Sequence, residues 1–182
     1  MKSRYFLQLM TVALGLGAAS TGAVYAQTSD AAEGAVKLSP AEQQFVQDAS
    51  QADATEIAAS KIALRNSSDP RVKTFAQQMI TDHTKLSHSM GALAARKGLG
   101  AAPAADSALV GKLQTLKGKE FDQVYVEKVA LEGHRKAVDL FQKESENGTD
   151  AQLKAAATHA LPTIKHHLAM AHQLAGAMKA SS

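Results

Sequence analysis

Phe75–Leu86 reads FAQQMITDHTKL, with Phe75, Ala76, Met79 and Leu86 at the spacing of one helix face. His83 lies inside that stripe, where a leucine would pack. Three further ionisable residues fall in comparable places. Glu56 shares a face with Phe45, Ala49, Ala52, Ala59 and Ala63. His134 stands among Val124, Leu131, Val138 and Phe141, and His167 borders the face of Leu153, Ala157, Ala160, Ile164 and Ala171. A carboxylate buried without partners costs several kcal/mol or gives up its charge. A carboxylate among imidazoles has two escapes. It can share protons in an ion-paired cluster, or it can join three ring nitrogens around one divalent transition metal, Zn, Cu or Fe. Asp82, next to His83, is placed to orient a ring from outside. His88, His159 and His166 fall on outward faces and His172 at a stripe edge, so they are not candidates for the interior.

The segments that carry these residues are helical by composition and period, rich in Ala, Leu, Lys, Gln and Glu with little β-branched alternation. Ser39-Pro40-Ala41-Glu42 carries a cap, a first-turn proline and a capping box. Asp69-Pro70 repeats the cap-plus-proline start, and Gly98 supplies a stop. Helices are expected at about 40–65, 70–97, 119–146 and 150–179, with a short one near 108–116 after the loose stretch GLGAAPAADS. Thr149 and Gln152 offer a capping box for the last helix, and Pro162 inside it predicts a kink. Two tight turns and one longer middle connection define an all-α fold, a four-helix bundle of two helical hairpins over residues 39–180. Glu56 and His83 lie 12 and 15 residues from the turn at Ser68. His134 and His167 lie 14 and 19 from the turn at Gly148. At about 1.5 Å per residue all four reach mid-bundle, within roughly 10 Å of one another in height.

The rest of the 182-residue chain bounds the setting. Residues 1–26 pair Lys2 and Arg4 with an apolar run from Phe6 to Ala19, and Val24 and Ala26 suit a cut before Gln27. This is the pattern of a cleaved signal peptide, and the run is short for a roughly 20-residue membrane span. Residues 27–38 read as a flexible leader. After such a cut the chain carries 18 basic and 17 acidic residues, near +1, so a nucleic-acid partner is not expected. No second apolar run in the mature chain approaches membrane-spanning length. There is no cysteine, which excludes disulfides, thiolate nucleophiles and zinc–cysteine sites. No nucleophile motif, phosphate loop or cofactor fingerprint appears. The alanine-rich faces of the first and last helices allow a homo-oligomer or an envelope protein partner.

An ordered set of residues resembles a known family. Phe45-Val46, Glu56-Ile57, Asp69-Pro70, Val72, Phe75-Ala76, Met79 and Asp82-His83 are followed by Phe121-Asp122, Tyr125, His134, Phe141, Leu161-Pro162 and His167-Leu168-Ala169-Met170-Ala171. Over about residues 41–176 the chain is similar to the exported bacterial proteins of domain-of-unknown-function family 4142, often labelled "predicted outer membrane protein". The resemblance implies a ferritin-like four-helix bundle, periplasmic or otherwise in the cell envelope, with association to the outer membrane suggested by the label alone. It implies no reaction. Gly133 departs from the pattern, which sets an acid before that histidine. A di-iron centre would need Glu-x-x-His motifs, and none occurs. The reading is a non-catalytic envelope bundle whose Glu/His cluster mainly fixes the core; the alternative is a metal-binding or metal-buffering protein that uses the same cluster.

Overall fold

The computed structural model describes residues 37–180 of the chain, and those residues are all-helical. The signal-peptide segment and most of the leader lie outside them. Helix α1 spans Pro40–Asn66 and begins with a complete capping box. Ser39 Oγ accepts from the Glu42 amide, and the Glu42 carboxylate accepts from the Ser39 amide. Helix α2 spans Pro70–Arg96, and its cap Asp69 accepts from the Arg71 amide at 2.8 Å. Gly98, at φ 70°, follows its end, where a side chain would be strained. Helix α3, Ser107–Thr115, begins at the cap Asp106.

The next element is one long run in three parts: α4 (Gly118–Val124), a π-helical stretch Tyr125–Gly133, and α5 (His134–Asn147). Helix α6, Ala151–Ala180, passes Pro162 without breaking. The expected Thr149/Gln152 box is not what starts α6. Asp150 is the cap, its Oδ1 accepting from the Gln152 and Leu153 amides at 3.0 Å each. Thr149 turns the other way and donates through its amide and hydroxyl to Glu42 of α1. A carboxylate one residue nearer the helix, already beside Lys97, outcompetes a hydroxyl for those amides.

Helix α1 packs chiefly on α2, and α5 on α6, so the bundle is two antiparallel hairpins. The connection between them, including α3, is tied back to α1. Asn66 Nδ2 donates to the Leu113 and Leu116 carbonyls at 3.2 and 2.9 Å, and its Oδ1 accepts from Lys117. Two apolar clusters fill the interior. One is built on Ala59, Ile62, Val72, Phe75, Met79, Phe121, Tyr125 and Ala171. The other gathers Phe45, Ala49, Met90, Leu93, Ala137, Phe141, Leu153 and Ile164. On every long helix the ionisable residue falls between the members of one cluster and those of the other. Glu56 lies between Ala49 and Ala59, His83 between Met79 and Met90, His134 between Ala130 and Ala137, and His167 between Ile164 and Ala171. Each fully buried large apolar side chain contributes about 1.5–3 kcal/mol. The bundle therefore has ample reason to close on both sides of a polar layer.

Candidate metal centre

His83, His134 and His167 are 2, 0 and 0% exposed and Glu56 is 4% exposed, so the polar layer is dry. Their ring centroids form a near-equilateral triangle with sides of 5.2, 5.4 and 5.5 Å. The layer thus unites Glu56 of α1, His83 of α2, His134 at the start of α5 and His167 of α6.

Each ring spends one nitrogen on an oxygen of its surroundings. His83 Nδ1 lies 2.8 Å from Asp53 Oδ1 and 2.9 Å from Glu56 Oε2. His134 Nδ1 lies 3.3 Å from the Val129 carbonyl and 3.4 Å from Glu56 Oε1. His167 Nε2 donates to Asp82 Oδ2 at 3.1 Å. Asp82 is itself steadied by Gln78, which donates to the same oxygen at 2.6 Å, and by Lys85 at 3.6 Å. The other nitrogen of each ring is buried without a partner: His83 Nε2, His134 Nε2 and His167 Nδ1. One ring nitrogen from each of the three lies within 4.8 Å of the other two. In a neutral ring, a proton held by an oxygen on one nitrogen leaves a lone pair on the other, which is the state a metal ligand needs; a protonated ring must first release its second proton.

Electrostatics divides the layer in two. Burial raises the Glu56 carboxyl, but the charges of His83 and His134 outweigh it and hold it at about 2. Burial lowers His83, and the Glu56 charge with the Asp53 hydrogen bond more than reverses this, to about 10. Asp53 is pushed up, mainly by burial. His167 goes the other way, down to about 4, because burial dominates and only Asp82 opposes it. The α1–α2 side therefore carries a charged pair, and the α6 side presents a neutral ring.

Asp53 is the participant that stripe-tracing missed. It sits one turn before Glu56, 4% exposed, and its three-residue spacing from Glu56 was the available signal. Gly133 also acquires a reason. A Cβ there would stand 3.3 Å from Glu56 Oε1, so a larger acid would crowd the carboxylate that the layer depends on. His88, His159, His166 and His172 are all exposed and take no part.

A family model for a domain of unknown function, DUF4142, matches residues 27–174. The chain belongs to the DUF4142 family. Among solved structures, this DUF4142 chain is similar to a DUF305 fragment from Deinococcus radiodurans, with TM-score 0.67 and 19% identity over 76% of this chain and 97% of that one. A DUF305 protein from Streptomyces coelicolor gives 0.63 and 21%, over 74% and 89%. CopM, described in its Cu(I)-bound form, gives 0.62 and 18%, over 72% and 93%. At these identities the DUF4142 chain shares a fold with them. No curated protein matches it. Among the described residues no helix is long and apolar enough to cross a membrane.

Proposed function

We propose that the protein is an exported, periplasmic metal-holding bundle that binds one transition-metal cation on His83, His134 and His167 and buffers it without catalysis. The observation that carries this reading is that three buried rings, one from each of three helices, each keep one nitrogen without a partner, and that the three rings place a nitrogen apiece within 4.8 Å of one another. Unmet polar atoms in a dry core cost about 1–3 kcal/mol each, and a shared cation removes three such costs together. Three imidazole nitrogens suit Zn²⁺ or copper in either oxidation state, and Fe²⁺ less well. In this reading Glu56 touches the opposite nitrogens of His83 and His134, and so orients them together with Asp53; Asp82 does the same for His167. A CopM structure with Cu(I) bound shows that a neighbour of this fold carries copper, which supports the reading. Rings only 0–2% exposed leave no direct path for a substrate, which favours holding over turnover. Export rests on the signal-peptide pattern of residues 1–26.

The test is elemental analysis and titration of residues 27–182, produced without a histidine tag, with Zn²⁺, Cu²⁺, Fe²⁺ and anaerobic Cu⁺. One ion per chain is expected, with saturable binding lost in His134→Leu. No stoichiometric ion would leave the second reading, a register lock, which the closed Asp53–His83–Glu56 ion pair favours.

A further inference from the structure

Glu56 belongs to the buried layer, yet it also lines a surface cleft of about 370 Å³ between α1, α3 and the π-helical stretch. The cleft's opposite wall carries Gly133, whose missing Cβ is what leaves Glu56 Oε1 room. Glu56 is 4% exposed, and its Oε2 lies 2.9 Å from His83 Nδ1 inside the layer. Asp48 and Asp106 also line the cleft. The two rim cations, Lys128 and Lys136, are both engaged by Glu132, at 3.0 and 2.8 Å, so the local balance is negative. The start of α3 is fastened across this region by the Asp106 amide donating to Thr55 Oγ1 at 2.9 Å, with Gln51 Nε2 reaching the Ala104 carbonyl at 3.4 Å just before it, while Leu109 reaches into the cleft from α3.

We propose that this cleft is the port by which a metal cation enters and leaves the three-histidine centre, with Glu56 as the carboxylate that receives it. The inference rests on the metal-holding reading above and adds its route. A cation drawn into the acidic cleft meets Glu56 first. Glu56 rests against the Nδ1 atoms of His83 and His134, so hand-over to their other nitrogens requires the carboxylate and the rings to move. Gly133 is the clearance that lets the Glu56 carboxylate shift, and the Thr55–Asp106 bond sets how freely α3 yields. The glycine in the middle of a helical run, otherwise unfavourable against alanine, is the clearance this movement needs.

Stopped-flow Cu²⁺ binding, followed by visible absorption, and release to a chelator in excess would test the port. Gly133→Ala and, separately, Leu109→Trp should slow uptake and release by a similar factor, about tenfold, with Kd changed little, as expected when binding needs a rearrangement. Thr55→Val should speed both. Gln173→Trp, in the groove between α2 and α6, is the control and should change neither. Circular dichroism and an unchanged Cu²⁺ stoichiometry would show each variant folded and its centre intact. Rates unaltered in both Gly133→Ala and Leu109→Trp, or slowed by Gln173→Trp instead, would overturn the port while leaving the metal-holding reading standing. A parent protein that binds no Cu²⁺ would end both.

Discussion

Two of the places where the molecule buries carboxylates are treated differently. At the end of the bundle, Glu42 is 4% exposed and its oxygens are saturated. Oε1 accepts from the Thr149 amide, the Thr149 hydroxyl and the Asp150 amide at 2.9, 2.8 and 2.6 Å. Oε2 accepts from the Ser39 amide and hydroxyl at 2.9 and 2.7 Å. One side chain thus caps α1 and fastens the start of α6. Burial raises its carboxyl, but these hydrogen bonds together bring it down to about 2. Its neighbour Glu144 has an unpartnered oxygen, and burial with the nearby Glu42 and Asp150 pushes its carboxyl up, so a proton can settle that account. At mid-bundle one nitrogen of each ring is met and the other is not. Saturation marks a structural joint. Deficiency converging from three helices marks a place for something else.

If that contrast is sound, the two centres answer to different measurements. The largest effect belongs to the histidines. His134→Leu or His167→Leu should lower metal affinity by at least about 100-fold, more than the loss of a positioning partner costs. For His167→Leu metal-free stability should be equal or higher, because an apolar group of similar volume replaces a buried unmet nitrogen. His134→Leu also removes a partner of Glu56 and should melt lower without metal. Thermal melts with and without metal would show it. A His167→Leu variant that melts lower without metal would place that ring with the structural joints.

Glu42→Ala is the mirror image. It leaves five donors without their acceptor and should cost about 3 kcal/mol, or about 10 °C in Tm, with metal stoichiometry unchanged. Loss of metal along with stability would show that the two centres are not separable.

Titration separates them by sign. Glu42 is held at about 2, below its ordinary 4.5. Its stabilisation is therefore full above pH 4.5 and lost as pH falls toward 2. His83 is held at about 10, above its ordinary 6.5. In the metal-free protein its stabilisation is full below pH 6.5 and lost as pH rises toward 10. Urea melts of Glu42→Gln should show a shallower acid limb, not a flat one, because Glu56 titrates in the same window. The alkaline limb should survive unchanged. An alkaline limb altered by Glu42→Gln would contradict the division.

How much of this was legible in the sequence depends on the kind of signal. The four-helix fold and the meeting of Glu56, His83, His134 and His167 follow from period and height, because a helix converts residue counts into direction and distance. Asp53 escaped because a stripe drawn through Ala49, Ala52 and Ala59 passes beside it. The π-helical stretch Tyr125–Gly133 left no mark in propensity, and it carries both Gly133 and the Val129 carbonyl that meets His134. The cap of α6 was misread for a related reason. Thr149 has the right chemistry, but Glu42, more than a hundred residues away, claims it, and Asp150 takes the place.

The smallest effect is the most discriminating one. Among the described residues Asp82 is the carboxylate on the His167 ring, and its side chain is 19% exposed, so replacing it strands no buried charge. Asp82→Asn keeps the shape and can still accept from His167 Nε2, but with less negative charge to favour proton retention there. If His167 Nδ1 faces a cation, the ring becomes a poorer donor, and affinity should fall about tenfold while metal-free stability moves by less than about 1 kcal/mol. If the layer is only a register lock, the same substitution should touch stability alone, through a partly exposed pair worth little. A tenfold loss of affinity with an unmoved melt is an outcome that only a ligand-oriented ring produces, and an unmoved affinity would remove His167 from the centre.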